Sequence, residues 1–348
     1  MILHICVPEK FTRPFIEFTA EHFGTQSHSF LFRSTEEELR KFDPATYAII
    51  TADGFPFEVF YYQDATPHIV RTLKLIIGLY RCEKIIIHGL FLFGRLAQIL
   101  AYFPLLLRKS YWAMWGGDFY FPEEFDPLKR RIIRKMGHLV TLLPGDAQYV
   151  KQHYGATGQH IDCLVYPTNV FTPIPTPPRK DSTIRLQVGN SAFPTNRHRE
   201  VFEALAQYKD RDIEIICPLS YGEKEYREDV IALGEEMFAE KFSPLEEFLP
   251  YGEYQRFLAS IDIAVFNHNR QQGMGNLITH LGLGHKVYLR SDQSPWELFT
   301  DMGLELHDIA EGISIEYTPS LKNKRLIASH FTHERLVEQW EMIYGRPS

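Results

Sequence analysis

Short apolar runs separated by longer stretches of helical period recur along most of this chain, and that alternation limits the fold more than any other feature. Met1–Val7, Tyr47–Thr51, Lys84–His88, Tyr111–Trp115 and His138–Leu143 read as strands. Between them, Phe15, Phe18 and Phe23 give one helix an aromatic face, and Gly145-Asp146 reads as the cap of another holding Tyr149 and Val150. Strands alternating with helices pair most readily as a parallel sheet covered on both faces. The pattern pauses at Tyr166–Asp181, where Pro167, Pro173, Pro175, Pro177 and Pro178 leave no room for regular helix. It resumes with Ile184–Val188, Ile213–Cys217, Ile261–Phe266 and Lys286–Leu289. Ser243-Pro-Leu-Glu246 and Ser294-Pro-Trp-Glu297 each combine an N-cap Ser, an N1 Pro and an N3 Glu, so both predict helix starts. His333–Tyr344 is amphipathic through Leu336, Val337, Trp340 and Ile343.

The expected fold is therefore α/β of the GT-B kind, with two Rossmann-like domains facing a cleft. The boundaries read as 1–166 for the first domain, 167–182 for a proline-rich linker and 183–325 for the second, with a C-terminal helix in 326–348 free to pack back across either. A chain of 348 residues that is 45% hydrophobic can fill two such cores. Ligands of open parallel sheets bind outside the carboxyl ends of the strands, so residues just after each strand are the ones to inspect.

Several function classes fall away. A net charge of -7 argues against nonspecific nucleic-acid binding, which depends on neutralising many phosphates. Cys6, Cys82, Cys163 and Cys217 are far apart and read as reduced core residues. The first residues form a strand without a basic and apolar leader, which points to the cytoplasm. The most membrane-like stretch, Gly89–Leu107, carries Arg95, Gln98 and Pro104 and fits a soluble helix better than a span. Asp210-Arg-Asp212 precedes the Ile213 strand, at the wrong end for a ligand, and no His-Glu-x-x-His or Cys/His cluster occurs, so neither metal nor cofactor is expected. No Gly-x-Gly-x-x-Gly follows the first strand, which argues against a nicotinamide dehydrogenase.

The segment with most chemical content follows the Ile261 strand. Arg270-Gln271-Gln272-Gly273-Met274-Gly275-Asn276 leads into a short helix carrying Leu277, Ile278 and Leu281. Glycines let backbone approach a ligand, and a helix start offers unpaired N–H groups and a positive dipole end to a diphosphate. Arg270 can add a charge-assisted fork. An ordinary strand-to-helix turn would have the same outline.

The string Arg270–Asn276, the later Gly284-His-Lys-Val287, Val188-Gly-Asn-Ser191 with Asn196, and in the first half His88-Gly89 and Trp115-Gly-Gly-Asp118 resemble the bacterial 4-acetamido-4,6-dideoxygalactose transferases, a family whose motifs occur here in the same order. The resemblance implies a glycosyltransferase that takes this deoxyamino sugar from a dTDP-sugar donor. Its acceptor would be a polyprenyl-diphosphate-linked saccharide at the cytoplasmic face of the inner membrane, in enterobacterial common antigen assembly. It also implies retention of an α linkage. Many retaining GT-B enzymes carry two glutamates around this turn, and aligning on Gly284 puts those sites at Gln271 and Thr279, neither a carboxylate. A front-face route, in which the departing phosphate helps accept the proton, needs no nucleophile.

Carried over by position, Gly189, Asn190 and Ser191 would meet the donor diphosphate, with Arg270, Gln272, Gly273, Met274, Gly275 and Asn276. Pro218, Leu219, Ser220 and Tyr221 end the Ile213 strand on the same rim and are candidates for the nucleotide base, Tyr221 by stacking. Asp118 is the leading catalytic candidate, as acceptor base or sugar ligand, with His88 the alternative. The basic run Lys129, Arg130, Arg131, Arg134 and Lys135, beside two isoleucines, could hold the enzyme to anionic lipid as a peripheral protein. Two other readings remain open from sequence: a nucleotide-sugar epimerase on the same fold, and a noncatalytic nucleotide-sugar-binding protein.

Overall fold

The computed structural model describes residues 1–24, 26–32, 34, 37, 40, 48, 58–61, 69–92, 94–175 and 182–345. They fall into two units, Met1–Thr168 with His333–Ser348, and Asn169–Thr332. Each is built on one parallel sheet with helices between its strands, as expected of an α/β chain with two Rossmann-like halves.

In the first unit the strands are β1 (Ile2–Cys6), β2 (His28–Phe32), β3 (Glu58–Tyr61), β4 (Lys84–His88), β5 (Ser110–Ala113), β6 (His138–Val140) and β7 (Gln159–Ile161). Their spatial order is β3-β2-β1-β4-β5-β6-β7, so the winding reverses between β1 and β4. Such a reversal separates the two flanking loops and opens a crevice at the strands' carboxyl ends. β1 and β2 are buried along their whole length, and a strand covered on both faces need not alternate: β2 reads His28-Ser-Phe-Leu-Phe32, two polar residues followed by three apolar ones. Sequence patterning does not single out β2, β3 or β7. Of the Tyr47–Thr51 run only Ala48 is described, and it is helical.

The helix Thr12–Phe23 buries Phe15, Phe18 and Phe23, the aromatic face expected of it. The helix His333–Tyr344 returns to this unit. Trp340, fully buried, packs its ring at a tilt 5.0 Å from that of Phe15 and donates Nε1–H to Val165 O at 2.9 Å, while Gln339 bonds Leu164 N and Asp162. The helix Pro144–Tyr154 forms, but Asp146 does not cap it; this carboxylate is buried and accepts the Tyr120 hydroxyl at 2.7 Å.

In the second unit, β8 (Ile184–Val188), β9 (Ile213–Pro218), β10 (Phe242–Leu245), β11 (Ile263–Phe266), β12 (Lys286–Leu289) and β13 (His307–Asp308) lie in the order β10-β9-β8-β11-β12-β13, reversing between β8 and β11. One expectation is corrected here. Ser243-Pro-Leu-Glu246 does not start a helix: Phe242–Leu245 is the edge strand β10, with Pro244 opposite Cys217. Proline is tolerated on a sheet edge, where its missing N–H faces no partner strand. Ser294–Asp301 is helical as expected, although no side chain caps it. The four cysteines are free and buried. Among the described residues no helix is long and apolar enough to cross a membrane, and Gly89–Leu107 contains the two short helices Gly94–Tyr102 and Pro104–Arg108 instead.

Candidate active site

The reversal between β8 and β11 in the second unit brings two loops together, Gly189–Arg197 after β8 and Asn267–Gly273 after β11. Gly189 and Gly273 both have positive φ, 68° and 69°, so each turn requires a residue without a Cβ. At Gly189 the requirement is also steric, since a Cβ would stand 2.5 Å from His198 Nε2 and 2.8 Å from Asn196 Oδ1.

A polar network ties the two loops. Asn190 accepts from Gln272 Nε2 at 3.0 Å and donates to the Tyr221 hydroxyl at 2.9 Å, and Thr195 donates to Gln272 Oε1 at 2.7 Å. Asn196 Oδ1 receives the Asn190 amide at 2.9 Å and pairs with His268 Nε2 at 3.1 Å, while its Nδ2 reaches Ser191. Buried Asn and Gln groups that satisfy one another in this way hold both loops in one geometry. Burial keeps His268 and His198 neutral, His198 with a pKa lowered to about 3, so neither brings a standing positive charge to the loops.

Gly273 leads into the helix Met274–Leu283, which has no side-chain cap and no acidic residue in its first turn. Its first intrahelical bond is Leu277 N to Gly273 O, so the amides of Met274, Gly275 and Asn276 have no partner within the helix. Three such amides beside a positive dipole end are the kind of helix start that can receive an anion, and the first turn carries no acid to oppose one. Arg270 is half-buried next to the turn and donates to Gln271 O. Tyr254 donates to Asn276 Oδ1 at 3.0 Å and so orients that side chain. Thr279 donates back to Gly275 O, leaving neither Gln271 nor Thr279 a role as a charged group.

The base candidates divide. Leu219 belongs to the core at 0% exposure and Pro218 is buried in β9, so these two support the turn from below. Ser220 and Tyr221 are half-buried, and Tyr221 stacks on the exposed Phe248 with ring centroids 5.9 Å apart and 18° between planes. Phe248, Thr195, Tyr254 and His268 are members of this constellation that sequence reasoning missed. A conspicuous aromatic three residues after an edge strand was the available signal for Phe248; the others are brought in by tertiary structure alone.

In the first unit the corresponding loops follow β1 and β4. His88 ends β4 at 4% exposure within a hydrogen-bonded chain. The Tyr166 hydroxyl accepts from Trp115 Nε1 at 2.7 Å and pairs with His88 Nδ1 at 2.9 Å; His88 Nε2 pairs with His4 Nδ1 at 3.1 Å, and His4 Nε2 with His28 Nδ1 at 3.0 Å. Burial lowers the His88 pKa to about 3. Asp118 is 0% exposed. Its Oδ2 accepts from Leu90 N at 2.6 Å and Trp112 Nε1 at 2.7 Å, and its Oδ1 from Trp115 N at 3.0 Å. Burial raises its pKa while these donors oppose the rise. Both side chains therefore brace the loops Gly89–Phe91 and Trp115–Gly117, with their polar atoms turned into the protein.

Glu9, which sequence reading passed over, lies on the β1 loop at the point of reversal and is half-buried. Desolvation raises its pKa, and Thr12 fixes its backbone through Thr12 N to Glu9 O at 2.8 Å. Beside it, Phe11 meets Trp115 at 5.5 Å and Tyr166 at 5.2 Å, and Phe91 meets Trp115 at 5.6 Å, so the loops form an aromatic rim.

The basic run lies on the helix Pro127–Lys135, capped by Asp126. Ile132 and Ile133 are buried in the core, which leaves the run without an apolar anchor of its own. Lys129 sits 3.6 Å from the Phe125 ring centroid, Arg130 donates to Pro122 O and Arg131 to Ala101 O; Arg134 and Lys135 are exposed. Among the described residues no group of three or more His, Cys, Asp or Glu side chains could hold a metal ion.

A sequence profile described as 4-alpha-L-fucosyltransferase glycosyl transferase group 56 matches residues 33–308. Among solved structures, the lipopolysaccharide outer core galactosyltransferase WaaB in its apo form is similar with a TM-score of 0.63 at 12% identity, over 100% of both chains. HepE of Anabaena in complex with UDP and glucose is similar at 0.66 and 11%, over 99% of each chain. A UDP-N-acetylglucosamine 2-epimerase is similar at 0.52 and 10%, over 100% of this chain and 96% of that one. At such identities the likeness is one of fold, and the fold is GT-B.

Proposed function

Because the chain belongs to glycosyl transferase group 56, and is thereby a nucleotide-sugar-dependent glycosyltransferase, we propose that it moves a deoxyamino sugar from a dTDP donor to a polyprenyl-diphosphate-linked saccharide at the cytoplasmic face of the inner membrane. The sugar would be 4-acetamido-4,6-dideoxygalactose or a close relative, which keeps the 6-deoxygalactose skeleton of the fucose in the family's description. The observation that carries the reading is the uncapped helix start after Gly273, joined through Gln272 and Asn190 to Tyr221. It supports a nucleoside diphosphate whose phosphates meet backbone amides and whose base lies against Tyr221 and Phe248.

Breaking the glycosidic bond leaves charge on the distal phosphate. The Met274, Gly275 and Asn276 amides stabilise that charge more than the ground state, which lowers the barrier without a metal. Arg270 adds a cation beside the same turn. A front-face displacement that retains configuration would have the departing phosphate oxygen take the acceptor proton. Within the first unit we assign Glu9, the half-buried carboxylate on the loop where the strand order reverses, as a candidate acceptor base; burial raises its pKa above that of an ordinary glutamate. Asp118 and His88 act as positioning residues for the rim it shares.

A thermal-shift panel of dTDP, UDP, GDP and their sugars tests the donor, since a ligand that binds the native state raises its apparent stability. Stabilisation by dTDP above UDP is expected, and a preference for GDP would redirect the assignment. Incubation with donor alone tests the chemistry: sugar interconversion without acceptor would replace transfer with epimerisation.

A further inference from the structure

The helix Ile69–Arg81 sorts its apolar residues onto two faces. Leu75, Ile76 and Leu79 pack on the core of the first unit, whereas Leu73, Ile77 and Tyr80, spaced i, i+4 and i+7, remain 52%, 49% and 42% exposed. The Tyr80 ring meets Phe103 edge-on at 6.3 Å, and this contact joins the helix to the run Tyr102-Phe103-Pro104-Leu105. All four of those residues are exposed, Tyr102 by 64% and Leu105 by 55%. One continuous apolar ridge results, on a chain whose other large apolar side chains are mostly buried, and ridges of this kind mark contact surfaces.

Cations surround it. Arg131 lays its guanidinium 5.3 Å from the Tyr102 ring centroid while bonded to Ala101 O, and Lys109 bonds Tyr80 O at 2.9 Å. Arg108, Arg134 and Lys135 are exposed, and the Pro127–Lys135 helix packs against both Gly94–Tyr102 and Pro104–Arg108. From residue 69 to residue 112 the sequence holds seven Lys or Arg and a single acid, Glu83, in a protein of net charge -7. A two-fold dimer on this face would set the same cations against one another, which like-charge repulsion opposes. Apolar side chains able to enter the acyl boundary, beside exposed cations, fit an anionic bilayer surface.

We propose that the ridge Leu73, Ile77, Tyr80, Tyr102, Phe103 and Leu105, with the basic rim formed by Arg108, Arg131, Arg134 and Lys135, docks the enzyme on anionic lipid. The inference rests on the reading that the acceptor is lipid-linked, and it gives that reading a surface. The basic run alone supplies charge but no insertion, because its isoleucines are buried; the neighbouring ridge supplies the apolar part.

The test is co-sedimentation of the full chain with phosphatidylcholine vesicles, with and without phosphatidylglycerol. The unaltered protein should bind only the anionic vesicles, and added salt should release it. Leu73→Gln with Ile77→Gln should weaken binding at least tenfold, and Leu105→Gln should weaken it further. Arg108→Gln with Lys135→Gln should weaken binding roughly fivefold per cation. Each variant should keep the melting temperature and the far-UV circular dichroism of the unaltered chain, which shows that it is folded, and its dTDP thermal shift should equal that of the unaltered chain. Failure of the unaltered chain to bind, or variants that bind as it does, would overturn the inference, as would an oligomer that Leu73→Gln dissolves. Lipid binding as expected without any dTDP shift would remove the proposed donor and leave this surface standing. A normal dTDP shift without lipid binding would remove this surface alone.

Discussion

Replacing Gly273 with alanine probes the turn at the centre of the proposed donor site. Gly273 has φ 69° and ψ 23°, a left-handed conformation that costs an L side chain about 1–2 kcal/mol. Alanine's narrower unfolded ensemble offsets about 0.4–1 kcal/mol of this. The new Cβ would stand 3.3 Å from the Asn190 amide, closer than ordinary contact, and 3.4 Å from His268 Cε1, at the edge of it. Neither neighbour can withdraw freely, because Asn190 bridges Gln272 and Tyr221 and His268 is held by Asn196. Weakening one of those bonds adds about 1 kcal/mol, for a total near 2 kcal/mol. Gly303→Ala is the control: its φ of 81° carries the same conformational penalty, but nothing lies within 4 Å of the added Cβ. Hydrogen exchange across residues 184–289, with and without dTDP, reads stability and binding together. At one hundred times Kd the nucleotide should stabilise the native chain by about 2.7 kcal/mol, and a tenfold loss of affinity in Gly273→Ala would reduce that to about 1.4 kcal/mol. Equal destabilisation in the two variants would refute the packing argument. An unchanged dTDP increment in Gly273→Ala would refute contact between this turn and the nucleotide.

Other perturbations separate scaffold from chemistry. Asp118→Asn offers one acceptor oxygen to the three donors Leu90 N, Trp112 Nε1 and Trp115 N and turns an NH2 toward one of them, so thermal unfolding should show a loss of about 2–4 kcal/mol. Unchanged stability with lost turnover would instead make Asp118 a catalytic residue. Glu9→Gln should lower kcat by about a hundredfold or more while leaving the dTDP shift intact, as expected for a general base; normal turnover would exclude it. Acid should destabilise the fold. Burial depresses the pKa of His4, His88, His198, His268, His280 and His285 below 6.5, to about 3 for His88, His198 and His285. Their contribution is complete above pH 6.5 and is lost as pH falls toward the folded values, at about 1.4 kcal/mol per pH unit for each. Asp118 and Glu9 act in the opposite sense, because their folded pKa values are raised, but they are two groups against six. Urea midpoints should therefore drop steeply between pH 7 and pH 5, and a flat profile would mean that these histidines are not buried neutral.

How far the sequence was legible follows from the range of the forces involved. Ser243-Pro-Leu-Glu246 and Ser294-Pro-Trp-Glu297 carry the same local signals, yet only the second is helical. The difference is tertiary: Phe242 packs against Phe202, and Leu219 N bonds Leu245 O, so the edge of a parallel sheet outweighs a cap worth about 1 kcal/mol. The turn at Gly189 and Gly273 could be read because positive φ is a local demand met by a local residue choice. Asp118 and His88 could be located at strand ends, but not their burial, since Leu90 reaches Asp118 from 28 residues away and Tyr166 and His4 reach His88 from 78 and 84 residues away. Glu9 was passed over for the same reason. Its interest comes from lying where β1 and β4 part, and strand order is a long-range property that no local pattern expresses. Of these two carboxylates of the first unit, the one with the suggestive motif is enclosed by donors, and the one with no motif lies on the loop where the strand order reverses.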